Sequence, residues 1–362
     1  MVTAEWSADV GWGVPMLKPY QKIELEPSAV VFHYGFEVGP GPRMKAYKDK
    51  AGNIRLFRPD MNMARMNRSA ARIALPVRVD FRPKLRSFAS AKTCSMFDGK
   101  ELIECIKELV RTDSRWVPAE RGYSLYLRPT LIGTQESLGV GPTNRALLFV
   151  IACPVGPYYK TGFAAVSLLA TIANVRAWPG GTGDTKIGGN YAPCVRPQVN
   201  AMAKGYQQNL WLFGPEHEVT EVGTMNAFVF WTNRDGQREL VTPPLDGSIL
   251  PGITRDSILA LAREWNEFKV SERKFTMKDI KAAAAEGRLI EMFGAGTACI
   301  VSPIKTINYL GVDMSIPLDP KDPNSQAGPL AKRFNDTLLG IQVRCCPLSS
   351  TGGEACMLLQ LD

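Results

Sequence analysis

The stretch between positions 178 and 226 constrains the fold more than any other part of the chain. It opens WPGGTGDTKIGGNYAP and closes TEVGTMN, and the residues between read as a short helix and an apolar strand. Lys186 is set among Gly180, Gly181, Gly183, Gly188 and Gly189. Backbone of that composition can be pressed close against a flat ligand while the amine points into a pocket. A lysine in a partly dry site gives up its proton more easily and becomes a nucleophile toward carbonyl compounds. Further on, Glu221 lies between an apolar strand and the run NAFVFW, where a carboxylate is costly without a cationic or hydrogen-bonding partner. A protonated pyridine nitrogen would be such a partner. Taken singly, a lysine in a glycine-rich turn is ordinarily a solvated loop residue, so the two features matter as a pair.

The rest of the composition narrows the classes. A chain of 362 residues can form two domains with real cores, and 45% hydrophobic with 22% charged residues is an ordinary soluble balance. The longest apolar run, around 146–153, is strand-sized, so no transmembrane helix is expected. The net charge of +8 comes from scattered basic residues without an aromatic-basic module, which argues against nucleic acid as a partner. Eight cysteines without a C-x-x-C pair, and only His33 and His217 as histidines, exclude a structural zinc site and weaken any Ser-His-Asp hydrolase reading. The first residues lack both an apolar signal core and the Arg-rich pattern of a transit peptide. A cytoplasmic place is therefore expected, or a mitochondrial one if a presequence is missing.

Local pattern predicts a small α/β domain followed by a larger one. VVFHYGF reads as a strand, MNMARMNRSAARI as a helix, and FDGKELIECIKELVRTD as a helix with Leu102, Ile106, Leu109 and Val110 on one face. YSLYLRPTLI and RALLFVIACPV read as strands. Asp235-Gly236 marks a hairpin, Thr254 is a candidate cap for TRDSILALAREW, and Thr276 with Asp279 forms a capping box. The expected boundaries are 1–158 for the small domain, 159–172 for a linker, 173–342 for the larger domain and 343–362 for a tail.

TKIGGNYAP followed by EVGTMN resembles the branched-chain amino-acid aminotransferases, which are fold type IV pyridoxal-phosphate enzymes. HYGF at 33–36, RLFRPDMNMARMNRSAARI at 55–73, YSLYLRPTLIG at 123–133, PVGPYYKTGF at 154–163, ELVTPPLDGSILPGITRDS at 239–257 and FGAGTACIVSPI at 293–304 extend the likeness in family order. The resemblance implies a two-domain α/β (α+β) architecture like that of D-amino-acid aminotransferase, with a small α/β domain and a larger pseudo-barrel domain. It implies pyridoxal 5'-phosphate as cofactor and no metal. It also implies a homodimer, and ping-pong transfer of the amino group of L-leucine, L-isoleucine or L-valine to 2-oxoglutarate.

Residue by residue, the resemblance makes Lys186 the Schiff-base lysine. Glu221 would hold the ring nitrogen, Tyr191 the phenolic oxygen, and Arg65, Ile253, Thr254 and Thr297 the phosphate. Gly252-Ile253-Thr254 leads straight into the helix and suits an anion on its own account. Tyr34, Thr224 and the Ala298 amide would receive the substrate α-carboxylate. Tyr126 and Arg128, two apart and so on one face of a strand, would take a distal carboxylate. Cys299 stands where mammalian relatives begin a C-x-x-C pair, but Ser302 fills the second place, which excludes a disulfide there.

Three stretches, 38–43, 77–96 and 343–362, depart from the family pattern, and each begins with valine. Valine codons begin GT, as introns do, so translated intron or misjoined exon sequence is one reading and lineage-specific loops the other. The first lacks an aromatic expected to wall the substrate pocket, and the last replaces the family's final strand. Two alternatives stay open at this level. One is another fold type IV enzyme, a D-amino-acid aminotransferase or a lyase; the other is a chain that has kept the fold without catalysis.

Overall fold

The computed structural model describes residues 1–39, 44–76, 98–156, 163–343 and 358–361. The atypical stretches fall largely elsewhere: 40–43, all of 77–96, and 344–357 with 362 lie outside the described residues. The chain divides into two compact units. One comprises Met1–Val155, Thr185–Gly189 and Leu358–Asp362, and the other Gly156–Asp184 and Asn190–Met357.

The first unit is a nine-stranded sheet whose spine runs Leu358–Gln360, Ile54–Phe57, Met44–Lys48, Ser124–Gly133, Arg145–Val155, Val2–Ser7, Gly11–Trp12. The neighbours on that spine are antiparallel. Its helices are α1 (Val30–Tyr34), α2 (Pro59–Arg72) and α3 (Gly99–Thr112). Pro59 opens α2 where its missing N–H costs nothing, and Asp98 caps α3 through the Lys100 amide. Met63, Met66 and Ala70 of α2 and Leu102, Ile106, Leu109 and Val110 of α3 bury their side chains with Leu56, Leu125 and Leu127 of the sheet. Each of the larger of those side chains contributes about 1.5–3 kcal/mol when fully buried, so the helix stripes set the layer order.

VVFHYGF is a short helix, contrary to the expected strand. Only Ala29 makes a strand-like bridge, to Glu136, and the helix then stops at Gly35, whose φ of 64° lies in the left-handed region. A short β-branched run does not decide between the two states, and here the local turn wins over strand propensity.

The second unit carries α4 (Ala192–Ala203), α5 (Ile253–Trp265), α6 (Met277–Ala285) and α7 (Pro329–Gln342). Its sheet runs Glu218–Val222, Gln208–Phe213, Val166–Thr171, Val301–Tyr309, Leu289–Ala295, Met225–Thr232, Arg238–Thr242, Lys269–Glu272. Because Glu218–Val222 also pairs with Met225–Thr232, the first six of these strands close into a ring. This is the pseudo-barrel expected for the larger domain. Leu168, Leu210, Val222, Val229, Met292 and Ile304 belong to its core. The Asp235-Gly236 hairpin forms as read, with Gly236 at φ 79° between two antiparallel strands. The Thr276–Asp279 capping box is complete.

Two expectations are corrected here. Residues 166–171 belong to a strand inside the second sheet, hydrogen-bonded in parallel on both sides, and so do not act as linker. Thr254 is not a cap: Gly252 takes that place with extended backbone, and Thr254 sits inside the first turn. The expected division at 172 and 342 also differs from the observed units, because 185–189 group with the first unit. So does Leu358–Gln360, through antiparallel pairing with Ile54–Phe57. Among the described residues no helix is long and apolar enough to cross a membrane.

Candidate active site

Within the first unit the lysine is anchored by its backbone. The Lys186 amide donates to Ser69 Oγ at 2.8 Å, and the Ser69 hydroxyl donates to the Arg65 carbonyl oxygen at 2.9 Å, one turn back along α2. Ser69 is fully buried, Arg65 is 4% exposed and Lys186 is 7% exposed. One hydroxyl thus ties the lysine segment to the helix that carries Arg65. Ile187 makes an isolated antiparallel bridge with Val38. The next residue, Gly188, lies close under Glu37: a Cβ there would stand 2.5 Å from Oε2 of Glu37, so a larger residue would displace that side chain.

Tyr126 and Arg128 share a face of Ser124–Gly133 and touch. Arg128 Nη2 donates to the Tyr126 hydroxyl at 3.2 Å, and the guanidinium carbon lies 5.1 Å from the ring centre. Burial raises the Glu37 carboxyl above its usual range, and the Arg128 charge pulls part of that back. Tyr34 is engaged differently. It sits at the end of α1, and its hydroxyl donates to the Leu138 carbonyl.

Within the second unit, strand register gathers the other residues. Glu221 pairs with Asn226, Asn226 with Ala295, and Ala295 with Val301. The turn holding Thr224 and the loop holding Thr297 and Ala298 therefore project from the same end of the ring. Glu221, 2% exposed, receives Arg176 Nε on Oε2 at 2.8 Å. Its Oε1 accepts from the Leu250 amide at 2.8 Å and from Asn226 Nδ2 at 3.5 Å. Asn226 Nδ2 also donates to the Leu250 carbonyl at 2.8 Å. Leu250 is followed within three residues by α5, which opens at Ile253 and Thr254.

Tyr191 precedes α4 and, with Thr224, lines a groove of about 720 Å³. Cys194 lines the same groove; burial raises its thiol, the Arg176 charge lowers it, and the Glu221 charge raises it.

The donor set fits a flat, phosphate-bearing aldehyde. The N-cap of α5 is Gly252, which has no side chain to offer the first turn, and the amides and dipole of such a helix start suit an anion. The cradle is close: a Cβ on Gly252 would stand 2.1 Å from Asn226 Oδ1. Glu221 is a buried carboxylate with a fixed orientation, suited to a protonated ring nitrogen. Among the described residues no cluster of potential metal ligands occurs.

Sequence reasoning missed three residues of this arrangement. Ser69 had a detectable signal, a hydroxyl four places after Arg65 on the buried stripe of α2. Arg176 and Asn226 had none, because their partners come from distant strands and the 248–250 loop.

Residues 43–307 match the family Amino-transferase class IV. The chain is 55% identical over 346 residues to the cytosolic branched-chain-amino-acid aminotransferase of Saccharomyces cerevisiae, covering 94% of this chain and 86% of the relative. The mitochondrial branched-chain-amino-acid aminotransferase of the same yeast is 51% identical, covering 94% and 82%. Among solved structures, the branched-chain aminotransferase of Thermoproteus uzoniensis with norvaline superposes with a TM-score of 0.71 at 23% identity, covering 100% of both chains. The branched-chain amino acid aminotransferase from Escherichia coli gives 0.67 at 21%, again covering 100% of both chains. At that identity the two structures speak for the fold alone. The chain belongs to the class IV aminotransferase family, in its branched-chain-amino-acid group.

Proposed function

We propose that this chain moves the amino group of L-leucine, L-isoleucine or L-valine to 2-oxoglutarate, in two half-reactions at one site, with pyridoxal 5'-phosphate as cofactor. The observation that carries the reading is the 55% identity, over nearly the whole chain, to a relative named for that activity. The cofactor supplies, when bound, a carbonyl that condenses with amines and a ring that draws electrons from the substrate α-carbon.

The chain's own residues divide the remaining work. Lys186 would hold the group covalently through its Nζ, and the same amine would carry the proton on and off the substrate α-carbon. Its segment is fixed through Ser69, so that the amine returns to one position. Glu221, held by Arg176 and the Leu250 amide, would keep the ring nitrogen protonated. Tyr191 would donate to the phenolic oxygen. Arg65, the Ile253 and Thr254 amides and Thr297 would hold the phosphate. Tyr34, Thr224 and the Ala298 amide would take the substrate α-carboxylate. Tyr126 and Arg128 would take the second carboxylate of 2-oxoglutarate, which an aliphatic chain lacks.

We further read the protein as a homodimer of the cytoplasm, acting on small amino acids and 2-oxo acids. Its yeast relatives include one cytosolic and one mitochondrial form.

The test is a pair of half-reactions. L-leucine should discharge the visible absorbance of the yellow holoprotein, and 2-oxoglutarate should restore it with release of glutamate. Lys186→Ala should be colourless. Discharge by D-alanine with no response to L-leucine would move the assignment to another member of the fold type, and a wild-type protein that never takes up the cofactor would end the enzymatic reading.

A further inference from the structure

Glu37 lies in the first unit next to the lysine segment, yet nothing in the proposed reaction uses it. Its strand, Glu37–Val38, pairs antiparallel with Ser124–Gly133, with Glu37 opposite Ile132 and Val38 opposite Leu131. Strand alternation puts Tyr126, Arg128, Thr130 and Ile132 on one face, and residues paired across strands point to the same side, so Glu37 belongs to that face. The carboxylate is placed closely. A Cβ on Gly39 would meet both Oε1 of Glu37 at 3.1 Å and Oγ1 of Thr130 at 3.2 Å, and one on Gly188 would meet Oε2 of Glu37 at 2.5 Å. One end of the side chain thus reaches the second residue after Lys186, and its face carries Tyr126 and Arg128. The two charges feel each other, since Arg128 draws the Glu37 carboxyl downward against the upward push of burial.

We propose that Glu37 sets the balance between aliphatic and dicarboxylate substrates, acting as a built-in counter-anion that an incoming distal carboxylate must compete with for Arg128. This deepens the proposed function and rests on it. When the bound side chain is aliphatic, an arginine facing it would be a poorly compensated charge, and Glu37 supplies the compensation without leaving its strand. When the bound molecule is 2-oxoglutarate or glutamate, its second carboxylate gains Arg128 and the Tyr126 hydroxyl but meets the Glu37 charge. Specificity here is a difference of two affinities with a deliberate repulsive part. Holding both substrate classes at comparable strength suits a site that must release each in turn.

Glu37→Gln removes the charge, keeps the length and leaves the contact with Gly188 possible. The ratio of kcat/KM for 2-oxoglutarate to that for 4-methyl-2-oxopentanoate should rise on the order of tenfold, as expected for one like-charge interaction in a partly buried site. Glu37→Asp, which keeps the charge, should stay closer to wild type. Glutarate, a dicarboxylate that cannot react, gives a second readout. Its affinity for the holoprotein by calorimetry should tighten by a similar factor in Glu37→Gln. An unchanged ratio together with unchanged glutarate affinity would overturn the proposal, as would weaker glutarate binding in Glu37→Gln. Failure of wild type to respond to L-leucine would instead remove the proposed function, and the glutarate titration would still decide whether Glu37 opposes a dicarboxylate.

Discussion

The cluster around Glu221 shows how much a buried charge depends on its neighbours. The carboxylate is 2% exposed and has Arg176 at 2.8 Å, while Arg176, 9% exposed, is itself steered by the carbonyls of Gly183 and Ser248 at 3.4 and 3.5 Å. Taking away one partner of such a pair strands the other charge in a dry place, at a cost of about 3–5 kcal/mol. Arg176→Leu is therefore expected to lower the denaturant midpoint of the cofactor-free protein, and to weaken cofactor retention beyond that because Glu221 loses its fixed orientation. Urea titrations with and without cofactor check both parts. Ordinary stability without cofactor would show that the pair does not hold the carboxylate. The sequence announced Glu221 as a carboxylate in need of a partner, and the partners in the fold are Arg176, the Leu250 amide and Asn226.

At the scale of elements, the start of α5 does the most for the site. Its N-cap, Gly252, has no capping side chain, and Asn226 Oδ1 stands 2.1 Å from where a Cβ would go. Gly252→Ala should push Asn226 away from Leu250 and Glu221, so the helix would still form but its anion site would shift. Cofactor release, followed as loss of absorbance during dialysis against phosphate, should be faster in Gly252→Ala than in wild type, with circular dichroism unchanged. Equal release rates would mean that Asn226 moves aside without consequence. The contrast with α6 is instructive. There a complete capping box satisfies the helix start, whereas Gly252 at the start of α5 supplies no capping side chain.

For the whole molecule, acid sensitivity follows from carboxylates held by cations. Burial would raise the Glu239 carboxyl, but hydrogen bonds from Arg273, Ser271 and Trp231 outweigh it and bring the group to about 2. A folded value below the unfolded 4.5 means that the stabilisation is present above pH 4.5 and is lost as pH falls through about 2. Glu239→Gln should be less stable than wild type at neutral pH, and its stability should change less across that acid window; parallel curves would contradict the assignment. Glu291 has the opposite sign. Burial raises it despite amide bonds from Ala331 and Leu330, so its contribution is largest in acid and fades as pH rises through the elevated value.

By itself the sequence pointed to the class of chemistry through its resemblance to the branched-chain aminotransferases, carried by TKIGGNYAP and EVGTMN; Lys186 among glycines and Glu221 beside an apolar strand would each alone read as ordinary. It also determined α2 and α3, the hairpin at Asp235-Gly236 and the capping box at Thr276, because helical periodicity, turn chemistry and cap spacing are local. Tertiary structure alone decided that 166–171 run inside a barrel, that Ser69 and Glu37 meet the Lys186 segment within the first unit, and that Arg176 meets Glu221 and Asn226 meets Leu250 within the second. Each of those outcomes rests on a partner far away in the chain, and the strength of a hydrogen bond or a buried ion pair is set by where the partner arrives, which no local pattern encodes.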